Sequence, residues 1–399
     1  MLDDEVALVG GGLVGKAAAL ALAQAGLRVA LCGAGSAPAQ PQAGFAQRIY
    51  ALNAASRRLL QRLRAWEQIP GERIQPVQAM QIAADGAALH FDAYSQRVES
   101  LAWIVESDAV ERALDLVLRF ERGVRLHADP VVRAQRTDAG WQVELSGGQV
   151  LRCGLLVGAD GRGSRVREWS GIGVRSRPYG QSAVVCNLSC AAAHGARALQ
   201  AFTPDGGVLA LLPLPDWRGR HQVSLVWSAP DGLAEQLRAL SAEQLAERVQ
   251  QQLPALGAER LAPLQAAGEP AAWPLLLQRA ESVAGDGVAL LGDSAHVVHP
   301  MAGHGLNLGL QDVQALAAVL ARRLPGESAG RPELLRRYAR ARAEQVLAMQ
   351  LATDGLHRLY APQLRWMAPL RALGLRAVDR LSPLKTWLAD YASGSSVLS

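Results

Sequence analysis

The chain has 399 residues, of which 50% are hydrophobic and 19% are charged, and this composition excludes an intrinsically disordered protein. The length predicts two or three domains. Lysine and arginine number 41 against 36 aspartates and glutamates, so the formal charge is +5 and an anionic partner has to be considered. Four cysteines without a CxxC pair favour a reduced, cytoplasmic location over a disulfide framework.

The N-terminus carries no secretory signal, because Asp3, Asp4 and Glu5 stand where such a signal has its positive region. No run of about 18 apolar residues exists, since Lys16 and Arg28 interrupt the most apolar region. We therefore expect an intracellular protein without a membrane-spanning helix.

The first elements in chain order predict a strand, a helix and a second strand. Residues 6–9 form an apolar strand, the helix runs from the following glycines to residue 25, and residues 28–32 form the next strand. This order is typical of a parallel sheet covered by helices.

The middle of the chain lacks that alternation and predicts an antiparallel sheet. Residues 80–91, 142–145, 183–189, 208–212 and 222–227 are expected strands, and the antiparallel region, taken as a second domain, spans roughly residues 181–270. A buried strand at 288–291, a helix at 306–324 and a helical pattern with breaks at 334–391 are expected to follow.

Residues 10–15 read GGGLVG, which matches GxGxxG between a strand and a helix. At this place Gly10 allows the tight turn, Gly12 lets the backbone approach a diphosphate, and Gly15 lets helix and strand pack closely. The helix N-terminus then faces the anion. The loop therefore favours dinucleotide binding.

Two other interpretations of this loop stay open. Gly10, Gly15 and Lys16 also fit the GxxxxGK of an NTPase P-loop, although Ala17 stands where that loop needs Ser or Thr for magnesium. The other is a glycine-rich turn that binds nothing. In addition, the second strand ends near Gly33, where a dinucleotide-binding fold usually supplies an acid for the ribose.

Two later strands end in aspartate. Residues 155–167 read LLVGADGRGSRVR, and residues 288–296 read VALLGDSAH ahead of the loop HPMAGHGLNLG at 299–309. An aspartate is short enough to hold a hydroxyl group at a strand end. Taken singly, Asp160 and Asp293 could equally cap a helix or form a turn.

With these motifs in order, the chain resembles the group A flavoprotein aromatic hydroxylases, and most closely the ubiquinone-biosynthesis hydroxylases of bacteria. The motifs are GxGxxG, DGxxSxxR and GDxAHxxxPxxGxGxN. Further matches lie in residues 47–56, 104–106, 202–206 and 225–227. The resemblance implies an α/β fold in which a Rossmann-like FAD-binding domain is interrupted by an antiparallel β-sheet substrate domain, with C-terminal helices.

The resemblance also implies the domain limits. The FAD-binding domain would comprise residues 1–75, 100–180 and 271–345, the substrate-binding domain residues 76–99 and 181–270, and the C-terminal helical segment residues 346–399.

Site residues follow from the same resemblance. Arg48 lies near the pyrophosphate, Asp293 binds the ribityl chain, and the Asp160 loop serves both FAD and the reduced nicotinamide. The residues expected to contact FAD are Gly10, Gly12, Val14, Gly15, Arg48, Asp160, Asp293, Gly303, Gly305, Leu306 and Asn307. Pro300 and His304 are expected to be catalytic, in a loop beside the flavin ring.

The implied activity is hydroxylation of the aromatic ring of a polyprenyl phenol or quinol in ubiquinone biosynthesis, through a flavin hydroperoxide. It uses FAD, NAD(P)H and O2, and the cofactor supplies the difficult chemistry. Two alternatives stay open: a hydroxylase of a small soluble aromatic acid, and a flavin-poor scaffold subunit of a quinone-biosynthesis complex.

Several positions depart from the family pattern. Lys16, Gly33, Asp108 and Glu111 replace residues that normally help to hold FAD, and His304 stands where relatives usually carry Gln. We therefore hypothesise weakened FAD binding, partly recovered by attraction between Lys16 and the pyrophosphate.

A metal site is a further alternative, since His296, His299 and His304 lie close together in sequence. No thiolate accompanies them, and Pro300 interrupts any helical face that would join them. We expect no metal.

The C-terminal segment is basic and amphipathic. Between residues 356 and 388 tryptophan, leucine and arginine alternate, and only one acid, Asp379, occurs. Such a segment can lie at an anionic membrane surface, or in contact with a quinone-biosynthesis complex, or it can pack on the FAD domain with a solvated basic face. The arginines lack the interleaved stacking aromatic residues of a nucleic-acid site, so we expect no nucleic-acid partner.

Overall fold

The computed structural model describes residues 3–33, 44–299, 304–360, 362–380 and 385. Within that part of the chain the strands are β1 (Asp4–Val9), β2 (Val29–Cys32), β3 (Ile49–Leu52), β4 (Ile74–Val77), β5 (Ala79–Ala84), β6 (Ala87–Asp92), β7 (Ala102–Glu106), β8 (Val124–His127), β9 (Val131–Thr137), β10 (Gly140–Leu145), β11 (Val150–Gly158), β12 (Val174–Cys190), β13 (Arg197–Phe202), β14 (Val208–Trp217), β15 (Arg220–Pro230), β16 (Leu264–Ala266), β17 (Ala271–Ala280), β18 (Ala284–Gly285), β19 (Val288–Leu290) and β20 (His296–Val297). The α-helices are α1 (Leu13–Gln24), α2 (Ala54–Arg62), α3 (Ser107–Leu118), α4 (Arg165–Trp169), α5 (Asp231–Ala239), α6 (Ala242–Gln250), α7 (Leu253–Leu256), α8 (His304–Leu320), α9 (Pro332–Leu359) and α10 (Ala368–Arg380).

The first sheet has the order β18–β19–β11–β1–β2–β8, and four of these five pairings, all but β18–β19, are parallel. Alternate residues of β1 and β2 enter two different cores. One core includes residues of α1, α3 and α8, and the other includes residues of the β9–β10 hairpin. Because both faces are covered, these strands are apolar throughout. The predicted parallel α/β sheet is confirmed.

The second sheet has the order β20–β17–β12–β15–β14–β13–β5–β6 and is antiparallel except for the β5–β13 pair. Its inner face packs on α5, α6 and α7, which supply Leu237, Leu245, Val249 and Leu253 to a shared core. The predicted antiparallel sheet is confirmed. Sequence analysis had not predicted the three helices that cover it.

One expected strand was wrong: residues 80–91 form a hairpin and not a single strand. Asp85 and Gly86 adopt φ angles of 50° and 74°, the left-handed conformation of a tight two-residue turn. β5 and β6 pair across this turn, with Ile82 opposite Leu89. The Asp-Gly pair was the available signal for the turn.

A third, smaller sheet has the order β3–β7–β4. It joins Phe45, Ile104 and Val77 to residues of the second sheet in one apolar cluster. The predicted domain limits remain a proposal; β12 crosses the expected boundary at 180 and pairs with β17, which begins at 271, on both sides of it.

The C-terminal helices pack in two different places. α9 lies against α8 and β18, whereas α10 lies against β6. Arg371 of α10 is buried and donates to Asp85 through Nε at 2.7 Å and through a terminal nitrogen at 3.2 Å. Arg371 is therefore part of a docking contact and not of a solvated basic face. Among the described helices, none combines the length and the apolar character needed to cross a bilayer.

Candidate active site

The glycine loop connects β1 to α1 at the carboxyl edge of the parallel sheet. Gly10 has φ +121°, and a Cβ there would lie 2.3 Å from the carbonyl oxygen of Ala159. A Cβ at Gly15 would lie 1.9 Å from the Gly10 oxygen. At Gly12 no atom lies within 4 Å of such a Cβ. Two glycines are thus required by the fold, and Gly12 leaves an open surface beside the helix start.

The start of α1 is held in place by Val14. A Cβ at Gly309 would lie 2.7 Å from a Val14 methyl group, and one at Gly292 would lie 3.3 Å from it. The side chain of Val14 therefore packs against Gly292, the first residue of the GDxAH motif, and Gly309, the last residue of the loop at 299–309. Gly12 is the N-cap of α1 and no side chain caps the helix, so its first N–H groups are directed at the open surface.

Lys16 follows the loop and is almost completely buried. Its ammonium group lies 2.9 Å from Glu111 Oε1 and 2.7 Å from Asp115 Oδ1, both on α3. The positive charge is thus already countered. This geometry contradicts the hypothesis that Lys16 offers an uncompensated charge to a diphosphate, and it gives no support to the P-loop alternative.

The end of β2 brings no acid to the site. Gly33 has φ +72°, and its N–H donates to the carbonyl oxygen of His127 on β8 at 3.0 Å. The residues that follow, 34–43, lie outside the described residues.

Arg48 lies just before β3 and interacts with Tyr50 on that strand. Burial raises the pKa of Tyr50; Arg48 opposes the rise, and the negative charges of Asp293 and Glu111 add to it. The Arg48 guanidinium is exposed and lies 5.5 Å from the centre of the Tyr50 ring.

Asp293 stands in the turn after β19. Burial raises the pKa of its carboxyl group, and His296, Arg48 and Arg162 oppose that rise. A carboxylate surrounded by cationic groups and placed at a strand end can accept hydrogen bonds from hydroxyl groups of a ligand.

Asp160 is both a helix cap and an incompletely paired acid. Its Oδ2 accepts from the N–H groups of Arg165 at 2.8 Å and Val166 at 3.1 Å, at the start of α4. Its Oδ1 is buried and has no hydrogen-bond partner among the described residues. The cap interpretation is thus correct for one oxygen, and the other, without a partner in the described part of the chain, can accept a hydrogen bond from a ligand.

Behind the Asp293 turn lies a buried ionic cluster, the Asp312 cluster. Asp312 Oδ2 accepts from the N–H of Gly292 and from His296 Nε2, each at 2.8 Å, and Oδ1 accepts from Arg342 Nε at 2.6 Å. Each of the three side chains is 1% exposed. The cluster ties the turn to α8 and α9.

The side chain of Asn307 forms hydrogen bonds with other residues of the protein. Its Oδ1 accepts from the N–H of Asn53 at 3.0 Å and from the hydroxyl of Ser56 at 2.7 Å, and its Nδ2 donates to the Ala51 oxygen at 2.8 Å. These bonds fasten α8 to β3 and α2. Contact with FAD therefore stays a prediction for Asn307, as it does for its neighbours Gly305 and Leu306.

The histidine motif is only partly described. Pro300 and Gly303 lie outside the described residues, and for His304 the structure describes only the backbone that begins α8. His299 is buried, and its Nε2 lies 3.0 Å from Gln181 Oε1. Within the described residues no three metal-ligating side chains form a cluster.

Glu106 belongs to the family match at residues 104–106, which predicts no role for it. In the structure Glu106 holds neighbouring segments in place. Its Oε1 accepts from the N–H of Ala46 at 2.5 Å, and its Oε2 accepts from Arg73 at 3.0 Å. Glu106 thereby fixes the segment that leads to Arg48. Nothing in the sequence links Asp312 to Arg342, thirty residues away.

Three observations fit a bound dinucleotide: the open surface at Gly12, the unpaired oxygen of Asp160 and the exposed Arg48 beside Tyr50. An anion fits the first and third, and a hydroxyl or ring N–H donor fits the second. The arrangement suits FAD.

Comparisons with known proteins agree with this geometry. Residues 3–352 match the family model described as FAD binding domain. The chain is 36% identical to ubiquinone hydroxylase UbiL of Rhodospirillum rubrum over 98% of this chain and 90% of that protein. It is also 36% identical to 3-demethoxyubiquinol 3-hydroxylase of Escherichia coli over 98% of both chains.

Solved structures of lower identity share the fold. p-Nitrophenol 4-monooxygenase PnpA of Pseudomonas putida superposes with a TM-score of 0.74 at 18% identity and covers 97% of this chain and 98% of its own. PqsL of Pseudomonas aeruginosa gives the same score at 24% identity, over 92% of this chain and 99% of its own. The chain belongs to the FAD binding domain family and, within it, to the ubiquinone-biosynthesis hydroxylases, so FAD is its cofactor.

Proposed function

We propose that this protein is an FAD-dependent monooxygenase that hydroxylates the aromatic ring of a polyprenyl phenol or quinol in ubiquinone biosynthesis. Two near-full-length relatives carry the names ubiquinone hydroxylase and 3-demethoxyubiquinol 3-hydroxylase. The structural observation that supports the proposal is the open surface at Gly12, where β1 of the parallel sheet leads into the uncapped start of α1. Cofactors of α/β folds bind at such carboxyl ends of parallel strands.

In this proposal the site residues bind different parts of FAD. The uncapped start of α1 beside Gly12 receives the diphosphate, and Arg48 adds a positive charge. Asp293 accepts a hydrogen bond from the ribityl chain, and the free oxygen of Asp160 accepts another. FAD, when bound and reduced by NAD(P)H, supplies the activation of O2 that no amino-acid side chain provides.

The loop at 300–307 completes the site in this proposal. Gly303 and Gly305 permit close approach of the backbone to the flavin, and Pro300 restricts the chain beside it. His304 opens α8, where N–H groups are free to bind negative charge. We assign Pro300 and His304 to positioning the ring and moving a proton there.

A prenylated substrate partitions into the bilayer, so we propose that the protein touches the membrane at its periphery. Trp366, Leu370 and Leu373 are 75%, 65% and 64% exposed. Leu370 and Leu373 are three residues apart on α10 and share one face, and Trp366 lies in the short 3-10 helix just before it. Arg376 is exposed beside them. Apolar and cationic groups together favour an anionic lipid surface.

Liposome flotation tests this contact. The full chain is expected to float with anionic vesicles, and Leu370→Ser with Leu373→Ser to reduce the floating fraction. Phe120→Ser is the matched control, because Phe120 is 80% exposed but lies just after α3 and outside the C-terminal helices. Equal flotation of all three proteins would contradict the assignment of the contact to α10.

The activity itself is tested by deleting the gene and identifying the accumulated quinone precursor by mass spectrometry. We expect a prenylated precursor that lacks one ring hydroxyl, and its disappearance when the wild-type gene is restored. Accumulation of a soluble aromatic acid with normal quinone levels would support the small-acid alternative. Full complementation by a Gly12→Ala variant that holds no flavin would support the scaffold alternative.

A further inference from the structure

Lys16, Glu111 and Asp115 form a second ionic cluster, the Lys16 cluster, at the interface of α1 and α3. Lys16 is buried, and its side chain is 3% exposed, whereas Glu111 and Asp115 are 31% and 20% exposed. A buried ammonium needs paired partners, and here it has two. The cluster carries one positive and two negative formal charges, so its net charge is −1.

The cluster borders the cofactor site. Lys16 lies on the first turn of α1, immediately after the loop whose open face receives the diphosphate. Glu111 acts electrostatically on Tyr50 together with Arg48 and Asp293. The 2.9 Å ion pair with Lys16 places this carboxylate beside the first turn of α1, next to the glycine loop. A carboxylate at this position repels a diphosphate, and the paired ammonium offsets part of that repulsion.

We propose that Lys16 is a positioning residue that neutralises Glu111 beside FAD, so that the charge balance of this pair sets the affinity for the cofactor. The proposal rests on FAD binding at the glycine loop. It explains why lysine at the helix start occurs together with glutamate on α3. Each charge alone would alter the binding of an anion, and the pair keeps the local charge moderate.

Apoprotein titrated with FAD, followed by flavin fluorescence, tests the proposal. Glu111→Gln brings the cluster to zero charge, and we expect binding about 3- to 30-fold tighter than wild type. Lys16→Met brings it to −2, and we expect binding weaker by a similar factor. The double variant has the wild-type charge and is expected to bind within about twofold of wild type, as is Lys16→Arg.

The expected gain for Glu111→Gln separates the proposal from a purely structural role, since damage to the fold does not tighten binding. Arg136→Met and Asp286→Asn are matched controls, because this exposed pair joins the β9–β10 hairpin to the turn before β19. They are expected to leave FAD affinity unchanged within twofold.

Glu111→Gln binding FAD as weakly as wild type, or more weakly, would overturn the inference while leaving FAD dependence intact. Absence of FAD binding by the wild-type apoprotein would instead overturn the proposed function. The affinity gain of Glu111→Gln should also shrink at high salt, because partly exposed charges are screened.

Discussion

The two ionic clusters beside the cofactor site differ in burial and in what they hold. In the Asp312 cluster every member is 1% exposed, every charge is paired, and the aspartate also accepts from the backbone N–H of Gly292. In the Lys16 cluster the ammonium is buried but both carboxylates keep contact with solvent. The Asp312 cluster supports the turn after β19, and the Lys16 cluster borders the proposed diphosphate site.

The difference in burial predicts which property of the protein each cluster controls. Removing one partner of a fully buried pair leaves an uncompensated charge and costs stability. Removing Glu111 from the Lys16 cluster is tolerated because the buried ammonium keeps Asp115, 2.7 Å away, as its partner. The Asp312 cluster should therefore control folding, and the Lys16 cluster should control cofactor affinity.

The largest expected effect comes from Arg342→Met. It leaves Asp312 with only His296 and the Gly292 N–H, and we expect a loss of about 3–5 kcal/mol in the free energy of unfolding. Urea denaturation measures it. Arg340→Met, on the exposed face of the same helix, is the control and should change stability by less than about 0.5 kcal/mol. Equal effects of the two substitutions would contradict a supporting role for the Asp312 cluster.

Asn307→Ala should have the next largest effect. It removes three hydrogen bonds and leaves the Asn53 N–H and the Ser56 hydroxyl without this acceptor, so we expect a loss of about 2–3 kcal/mol. Gln314→Ala on the same helix removes a single bond to the Ala55 oxygen and should cost about 1 kcal/mol or less. Both values come from denaturation of the apoprotein; a loss at Asn307 no larger than at Gln314 would contradict this function of its side chain.

The acid dependence of stability provides a smaller effect. Burial alone would raise the pKa of Asp312, but His296, Arg342 and the Gly292 N–H hold it below its usual value. Because the folded pKa is lowered, the stabilisation is complete above the unfolded pKa of about 3.9 and is lost as the pH falls through the folded value. The difference in unfolding free energy between wild type and Asp312→Asn should thus shrink below about pH 4. A difference that stays constant from pH 7 to pH 3 would contradict this link.

The sequence predicted the parts of the fold and site that depend on local pattern. GxGxxG between a strand and a helix specified the roles of Gly10 and Gly15, because backbone geometry at those positions leaves no room for a side chain. The four cysteines are free and buried, and burial raises the pKa of Cys32 and Cys153 to about 12. Their thiols are thus inert residues of the core.

The parts that sequence missed depend on partners far apart in the chain. Lys16 pairs with Glu111 and Asp115, which are 95 and 99 positions away in the sequence. The sequence alone therefore indicates a lysine whose charge is available to a ligand. Arg371 pairs with Asp85, which is 286 positions away in the sequence. The sequence alone therefore places Arg371 on the basic face of the C-terminal segment. The helices over the second sheet were missed because the strands around them dominated the pattern of that region.

Gly12→Ala tests most directly the claim that FAD binds across the glycine loop. Gly12 has φ −80°, and a Cβ there meets no atom within 4 Å, so the apoprotein should be as stable as wild type. The new methyl group occupies the surface assigned to the diphosphate, and FAD affinity should fall at least about 100-fold, a free-energy cost of about 2.7 kcal/mol. Gly232→Ala, whose Cβ also meets no atom, should change neither property. Unchanged FAD affinity in a folded Gly12→Ala protein would contradict the account.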